Sequence, residues 1–123
     1  MQILEIFGRI FLSLLFLVEG TRKIFLQEET IMYMEEYGVP DFLFVPSLMV
    51  EILFPLLIIL GYKTKFSALI MALFTLTVAI IFHTDFSNDM QLIFFLKDLA
   101  IAGGFIIIFA RGAGKYSLDN KFN

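Results

Sequence analysis

The chain has 123 residues, 59% of them hydrophobic and 17% charged, with 16 Phe, no Cys, no Trp and a net charge of −3. Soluble domains average roughly 45–50% apolar and about 25% charged, so too few polar side chains are present to coat a compact fold this small, and lipid is the implied solvent. The mild acidity excludes a basic nucleic-acid footprint, and the missing cysteines exclude disulfides, thiol redox chemistry, iron–sulfur ligation and thiolate zinc sites.

A membrane-crossing helix needs roughly 20 mostly apolar residues, whereas membrane strands alternate over segments of about 10; the runs here are long and do not alternate. The first predicted helix covers about 6–25, apolar from Ile10 to Val18, with Arg9, Glu19, Arg22 and Lys23 towards its ends, where long side chains snorkel. No basic stretch precedes its apolar centre and no small-residue cleavage site follows, so it reads as a spanning helix and not a removable leader. The connector 26–41 sets Ile31-Met32-Tyr33-Met34 between pairs of glutamates, which suits a short helix on the membrane surface, and closes with a Tyr37-Gly38-Val39-Pro40 turn. The second spanning helix is predicted over 42–60, with a single charge, Glu51, and two prolines, Pro46 and Pro55, that imply a kink. Gly61-Tyr62-Lys63-Thr64 turns the chain into a third helix, 65–83, in which the seventeen residues Phe66 to Phe82 carry no charge. A short acidic turn, His83 to Asp89, leads to the fourth helix at about 90–110, interrupted by Lys97-Asp98 and then apolar through Gly103-Gly104. Those glycines and Gly8 suit close helix packing. The expectation is one domain over 1–123, an all-α, integral membrane four-helix bundle without internal repeats.

Lysine and arginine near the helix ends set orientation, while acids contribute little. Arg9, Lys63, Lys65, Arg111, Lys115 and Lys121 fall on one side against Arg22 and Lys23 on the other, which predicts cytoplasmic N- and C-termini in a cell inner membrane. Tyr33, Tyr37, Tyr62 and Tyr116 lie in loops or flanks, as interfacial tyrosines do.

A charge in the bilayer core costs at least roughly 2.5–3.5 kcal/mol, so ionisable groups there face a partner or water and mark candidate sites. This topology gathers Glu19, Lys23, Glu51, His83, Lys97 and Asp98 in the outer half, where they form one candidate ligand or proton site. Glu19 and Lys23 are i,i+4 neighbours, and Glu19 and Arg22 are i,i+3. Lys97, Ala100 and Gly104 share a stripe, so Lys97 is expected to face inward and meet Glu51, with Asp98 turned about 100° away. The same pairs serve equally as structural ion pairs that fix helix register. One His and no Cys cannot supply bis-His haem ligation, no phosphate-cradling glycine loop or hydrolase motif is present, and no metal site is expected.

Read together, several segments resemble the DoxX family of small bacterial four-helix membrane proteins. The resemblance rests on Gly8-Arg9-Ile10, Phe16-Leu17-Val18-Glu19-Gly20-Thr21-Arg22-Lys23, Tyr37-Gly38-Val39-Pro40, Glu51, Phe82-His83, Phe95-Leu96-Lys97-Asp98-Leu99-Ala100 with Gly103-Gly104, and the tail Gly112 to Asp119. Glu19 stands where a small residue is common in that family and Asp98 where Asn is common. The resemblance implies association with quinol-oxidase and thiosulfate:quinone systems, hence an accessory subunit with a possible bound quinone, Lys97 and His83 near its carbonyls and Glu51 handling protons. Redox partner subunits and a homo-oligomer are the partners it suggests besides lipid. A non-enzymatic scaffold is the alternative, and a small oligomeric transporter the third reading.

Overall fold

The computed structural model describes residues 2–114 and 117–119, so the expectations resting on Lys115, Tyr116 and Lys121 lie outside the described residues. The described chain is helical throughout, without strands: α1 (Gln2–Phe25), α2 (Gln27–Glu36), a 3₁₀ turn (Asp41–Leu43), α3 (Phe44–Leu60), α4 (Thr64–Phe82) and α5 (Asp89–Arg111). Three segments, Asp41–Leu60, Thr64–Phe82 and Asp89–Arg111, are long and apolar enough to cross a membrane. The helix expected at 6–25 starts earlier, and the surface helix expected around 31–34 extends over all of 27–36. Pro46 sits in the first turn of α3, where no intrahelical N–H is needed, so only Pro55 lies where a helix loses a donor. The donor lost there is the one that would bond the carbonyl of Glu51.

Two helices end by the same device. Gly38 and Gly61 both have positive φ, of 78° and 74°. After α2, Gly38 N donates to Glu35 O and Val39 N to Met34 O; after α3, Gly61 N donates to Ile58 O and Tyr62 N to Leu57 O. This double bond pattern satisfies the last carbonyls of a helix and requires a residue that tolerates the left-handed region. At the start of α5, Asn88 caps locally, its Oδ1 accepting from Met90 N at 2.9 Å.

The start of α4 is capped from far along the chain. Asp119 Oδ1 accepts from Lys63 N at 2.6 Å, Oδ2 accepts from Thr64 N at 2.8 Å, and Asp119 N donates to Gly61 O at 2.7 Å. The tail therefore supplies the N-cap that no neighbouring side chain supplies. Burial alone would raise the Asp119 carboxyl, but the donors at Thr64 and Lys63 and the charge of Arg9 outweigh it and hold the carboxyl below its ordinary range. Its folded pKa is below its unfolded one, so the contribution of this cap is complete above the ordinary Asp value of about 3.9 and disappears as pH falls through the folded value. Asp119→Ala is expected to cost about 1 kcal/mol. It should also abolish the acid-induced loss of amide protection at residues 61–64 that is expected of the parent protein, which hydrogen–deuterium exchange between pH 3 and 7, corrected for intrinsic rates, measures.

The core is small: Ile58, Ala68, Met71 and Phe105 are fully buried, with Phe16 and Ala72 beside them. Helix α4 packs most extensively on α5, and α1 on α3. Ala68, Ala72 and Ala79 on α4 with Ala102 on α5 are buried, and their size allows the two backbones to approach. The Phe16 ring lies 5.7 Å from Phe105 and 6.5 Å, edge-on, from Phe74, joining α1, α4 and α5. Outside this core the large apolar side chains point outward, Phe11 being 68% exposed, which is the arrangement lipid favours.

The glycines divide by what surrounds them. A Cβ on Gly20 would come within 2.8 Å of Ile52 Cγ1, and one on Gly104 within 3.0 Å of Leu12, so these two permit α1 to approach α3 and α5. Gly8 and Gly103, expected as packing glycines, meet nothing within 4 Å. Glycine in a helix interior costs about 0.5–1 kcal/mol relative to Ala, so Gly103→Ala is expected to raise stability by up to that amount, readable as a higher unfolding midpoint in detergent.

Candidate functional site

The polar residues near the end of α1, in the middle of α3, at the end of α4 and in the first half of α5 converge on a cavity of about 730 Å³ that α2 also bounds. Its walls are apolar, built by Leu15, Phe16, Val50, Phe74 and Val78. On one side Lys23 Nζ donates to Glu51 Oε1 at 2.8 Å, tying α1 to α3. Glu51 is only 5% exposed, and its second oxygen, Oε2, is buried with no hydrogen-bond partner among the described residues. On the other side His83 Nε2 lies 3.7 Å from Asp98 Oδ2, linking the end of α4 to α5, while His83 Nδ1 is buried without a hydrogen-bond partner. The His83 ring rests 5.4 Å from Phe94.

Helix α2 lies across the mouth. Tyr33 stacks on Phe82 at 5.2 Å and 14°, and Tyr37 meets both rings at 5.0 Å. Gln91 Nε2 donates to Tyr37 Oη at 3.4 Å, fastening the end of α2 towards α5. Burial, then the hydrogen bond and charge of Tyr37 and the charge of Glu36, push the Tyr33 phenol up to about 12, so it is a neutral donor across the physiological range. The aromatic trio is expected to hold α2 down: Tyr33→Ala should increase amide exchange over 27–36 by about twofold to tenfold, since a stacked aromatic pair contributes about 0.5–1.5 kcal/mol beyond area burial.

Five of the six residues expected at this site line the cavity: Glu19, Lys23, Glu51, His83 and Asp98. Lys97 does not; it is exposed on the outer face of α5. Consecutive helix positions point about 100° apart, so Lys97 and Asp98 cannot both face inward, and α5 turns Asp98 in together with Ala102 and Phe105, at i, i+4 and i+7. The expected Lys97–Glu51 pair is therefore replaced by Lys23–Glu51, and of the two pairs expected for Glu19 the one with Arg22 forms, at 3.6 Å, and the one with Lys23 does not. Neighbouring helix positions point about 100° apart, so α1 turns Lys23 towards the interior and Glu51 and leaves the more exposed Arg22 to Glu19. Sequence reasoning missed the roof: Tyr33 and Tyr37, an i,i+4 aromatic pair within a connector, were the available signal. Among the described residues no group of three or more His, Asp or Glu comes together in a way that would hold a metal ion.

The DoxX family model matches residues 4–84, and the SURF4 family model matches residues 51–123. The chain is 37% identical over 116 residues to inner membrane protein YqjF of Escherichia coli, covering 94% of this chain and 89% of that one. It is 30% identical over 126 residues to inner membrane protein YphA of the same organism, covering 97% and 90%. No solved structure matches. With three helices long and apolar enough to cross a bilayer and near-full-length similarity to inner membrane proteins, this is a multi-pass protein of the inner membrane. A family match over residues 4–84, joined to these relatives, shows that the chain belongs to the DoxX family.

Proposed function

We propose that the protein is an accessory membrane subunit that holds a lipophilic, carbonyl-bearing molecule of the quinone class in the cavity beneath α2. The observation that supports this most is the placing of two polar atoms without partners, Glu51 Oε2 and His83 Nδ1, in residues that line one apolar-walled cavity of about 730 Å³. Pockets of roughly 300–1,000 Å³ with a few convergent polar groups suit small-molecule ligands. Leaving a buried carboxylate oxygen without a donor costs about 1–3 kcal/mol or more, a cost that a hydroxyl of the reduced, quinol form would offset. The residues present fit a quinone on these grounds. When bound, such a group supplies two-electron, two-proton redox chemistry that no side chain of this cysteine-free protein supplies. In this reading Lys23 and His83 donate to ligand oxygens, Glu51 holds a proton at Oε2, Phe16 and Phe74 face the ring and α2 excludes water, all of them belonging to the cavity lining or its roof.

In this proposal α1 crosses the membrane with α3, α4 and α5 as a four-helix bundle. Both termini are cytoplasmic, so the cavity opens in the outer half.

Titration of the purified protein with a short-chain ubiquinone analogue, followed by calorimetry, tests the assignment. Glu51→Gln is expected to weaken binding at least tenfold, about 1.4 kcal/mol, with insertion retained, and His83→Ala, near the mouth, to weaken it as well. Unchanged affinity in both variants would refute the proposal.

A second reading, a non-catalytic scaffold that recruits a neighbouring subunit, is favoured by Lys97. This lysine is exposed within the span Asp89–Arg111 and forms no ion pair among the described residues. A charge so placed is stabilised by an acidic group on an adjoining helix. Lys97→Ala is expected to lose a co-purifying membrane subunit while leaving quinone affinity unchanged; retention of every co-purifying subunit would remove this reading.

A further inference from the structure

We infer that the end of the molecule away from the roofed cavity carries a phosphate-binding site between the start of α4 and the end of α5. Helix α4 spans 19 residues, so this site lies roughly 28 Å from His83. It is a separate cavity of about 730 Å³, and three of the residues lining it are cations: Lys63, Lys65 and Arg111. None of the three forms an ion pair among the described residues. One carboxylate, Asp119, also lines the cavity, but both of its oxygens accept backbone N–H groups at the start of α4, and Arg9 acts on its charge from behind. The Glu5 carboxylate lies against Gly114 of the lining and is faced by Arg9, so the three cations without ion pairs leave the described lining net positive.

The backbone brings these cations together at some cost. Lys63 has φ 49°, the one positive φ outside glycine among the described residues. Gly or Asn would hold that turn with less strain, and the lysine adds a charge in return. Gly112, at φ 84°, ends α5, and the Lys65 stem passes across it, its Cε 3.3 Å from where a Cβ would sit. A side chain at 112 would crowd the lysine. The spans begin at Thr64 and end at Arg111, so the cavity sits where the helices leave the apolar layer, at the depth of lipid phosphates. Guanidinium and ammonium donors lining one pocket between helix ends are the chemistry that recognises a phosphate group, carried by an anionic lipid or free in solution.

The test is native mass spectrometry of the detergent-solubilised protein with phosphatidylglycerol or phosphatidylethanolamine, alongside calorimetry with inorganic phosphate. Phosphatidylglycerol is expected to bind more tightly, by about fivefold for each of the three charges engaged. Lys63→Gln/Lys65→Gln/Arg111→Gln should remove the preference, whereas Lys97→Gln, on a different surface, should keep it. Binding of phosphatidylglycerol without inorganic phosphate assigns the site to a lipid headgroup; binding of inorganic phosphate that displaces the lipid assigns it to the free ion. Should the triple variant fail to fold, Arg111→Gln and Lys65→Met alone are each expected to lose about fivefold. The inference is overturned if neither ligand binds, or if the folded variants retain the full preference.

Discussion

Lys23→Met is expected to lower the unfolding free energy by about 3–5 kcal/mol, the largest effect of any single substitution at the cavity beneath α2. Glu51 is 5% exposed and bonded to Lys23 Nζ at 2.8 Å, so removal of the lysine leaves a carboxylate in a low-dielectric interior with both oxygens unsatisfied. The penalty is the cost of the orphaned charge and not the value of the pair. Lys23→Met/Glu51→Leu, which removes both charges and keeps comparable volume, should therefore recover most of the loss and approach the parent protein. Reversible unfolding in mixed detergent micelles, followed by helical circular dichroism, measures both. A double variant no more stable than Lys23→Met would mean that the ion pair itself stabilises the fold. The same pair separates stability from ligand binding, because the recovered double variant should fold well and still fail to bind a quinone.

Gly61→Ala is expected to cost about 1–3 kcal/mol and to release the tail. Gly61 has φ 74° and ends α3, and a Cβ there would collide with the Arg9 guanidinium and with Ser117. Arg9 is buried and donates from Nη1 to Ile58 O at 3.3 Å, one turn before that glycine, so it has little room to move. The added methyl displaces residues 117–119, and with them the Asp119 cap of α4. Limited proteolysis should show cleavage after the end of α5 at least tenfold faster than in the parent, while Gly103→Ala, which meets nothing within 4 Å, leaves it unchanged. Equal cleavage rates for the two variants would show that the tail is not seated on Gly61. Because the basic cavity shares Asp119 and Lys63 with this seat, Gly61→Ala should also weaken phosphate binding.

How much of this was legible in the residues depends on the range of the interaction. Uncharged runs such as Phe66 to Phe82 report directly on solvent, because a bilayer leaves a helix as the structure that satisfies every backbone group within one segment; hence the helices were readable to within a few residues. Helix stops at Gly38 and Gly61 were readable for a similar reason, since the left-handed region selects glycine locally. The gathering of Glu19, Lys23, Glu51, His83 and Asp98 followed from depth alone: helix rise converts residue number into height, and groups of equal height on neighbouring helices are brought near one another. Azimuth is different. Which of Lys97 and Asp98 faces inward depends on the rotation of α5, and that is set by Ala102 and Phe105 packing on α4 and Phe16. Partner choice depended on it in turn, giving Glu51 to Lys23 and Asp98 to His83.

By itself, then, the sequence determined the solvent, the helices, their ends and the depth of each charge, because all of these are governed by contacts within one or two turns and by the transfer of side chains from water to lipid. The tertiary structure alone decided three things: the rotation of α5, the folding of α2 over the cavity through Tyr33, Tyr37 and Phe82, and the docking of Asp119 onto a helix 55 residues away. Each joins groups distant along the chain, and the geometry that selects among several chemically adequate partners exists only once the helices have packed.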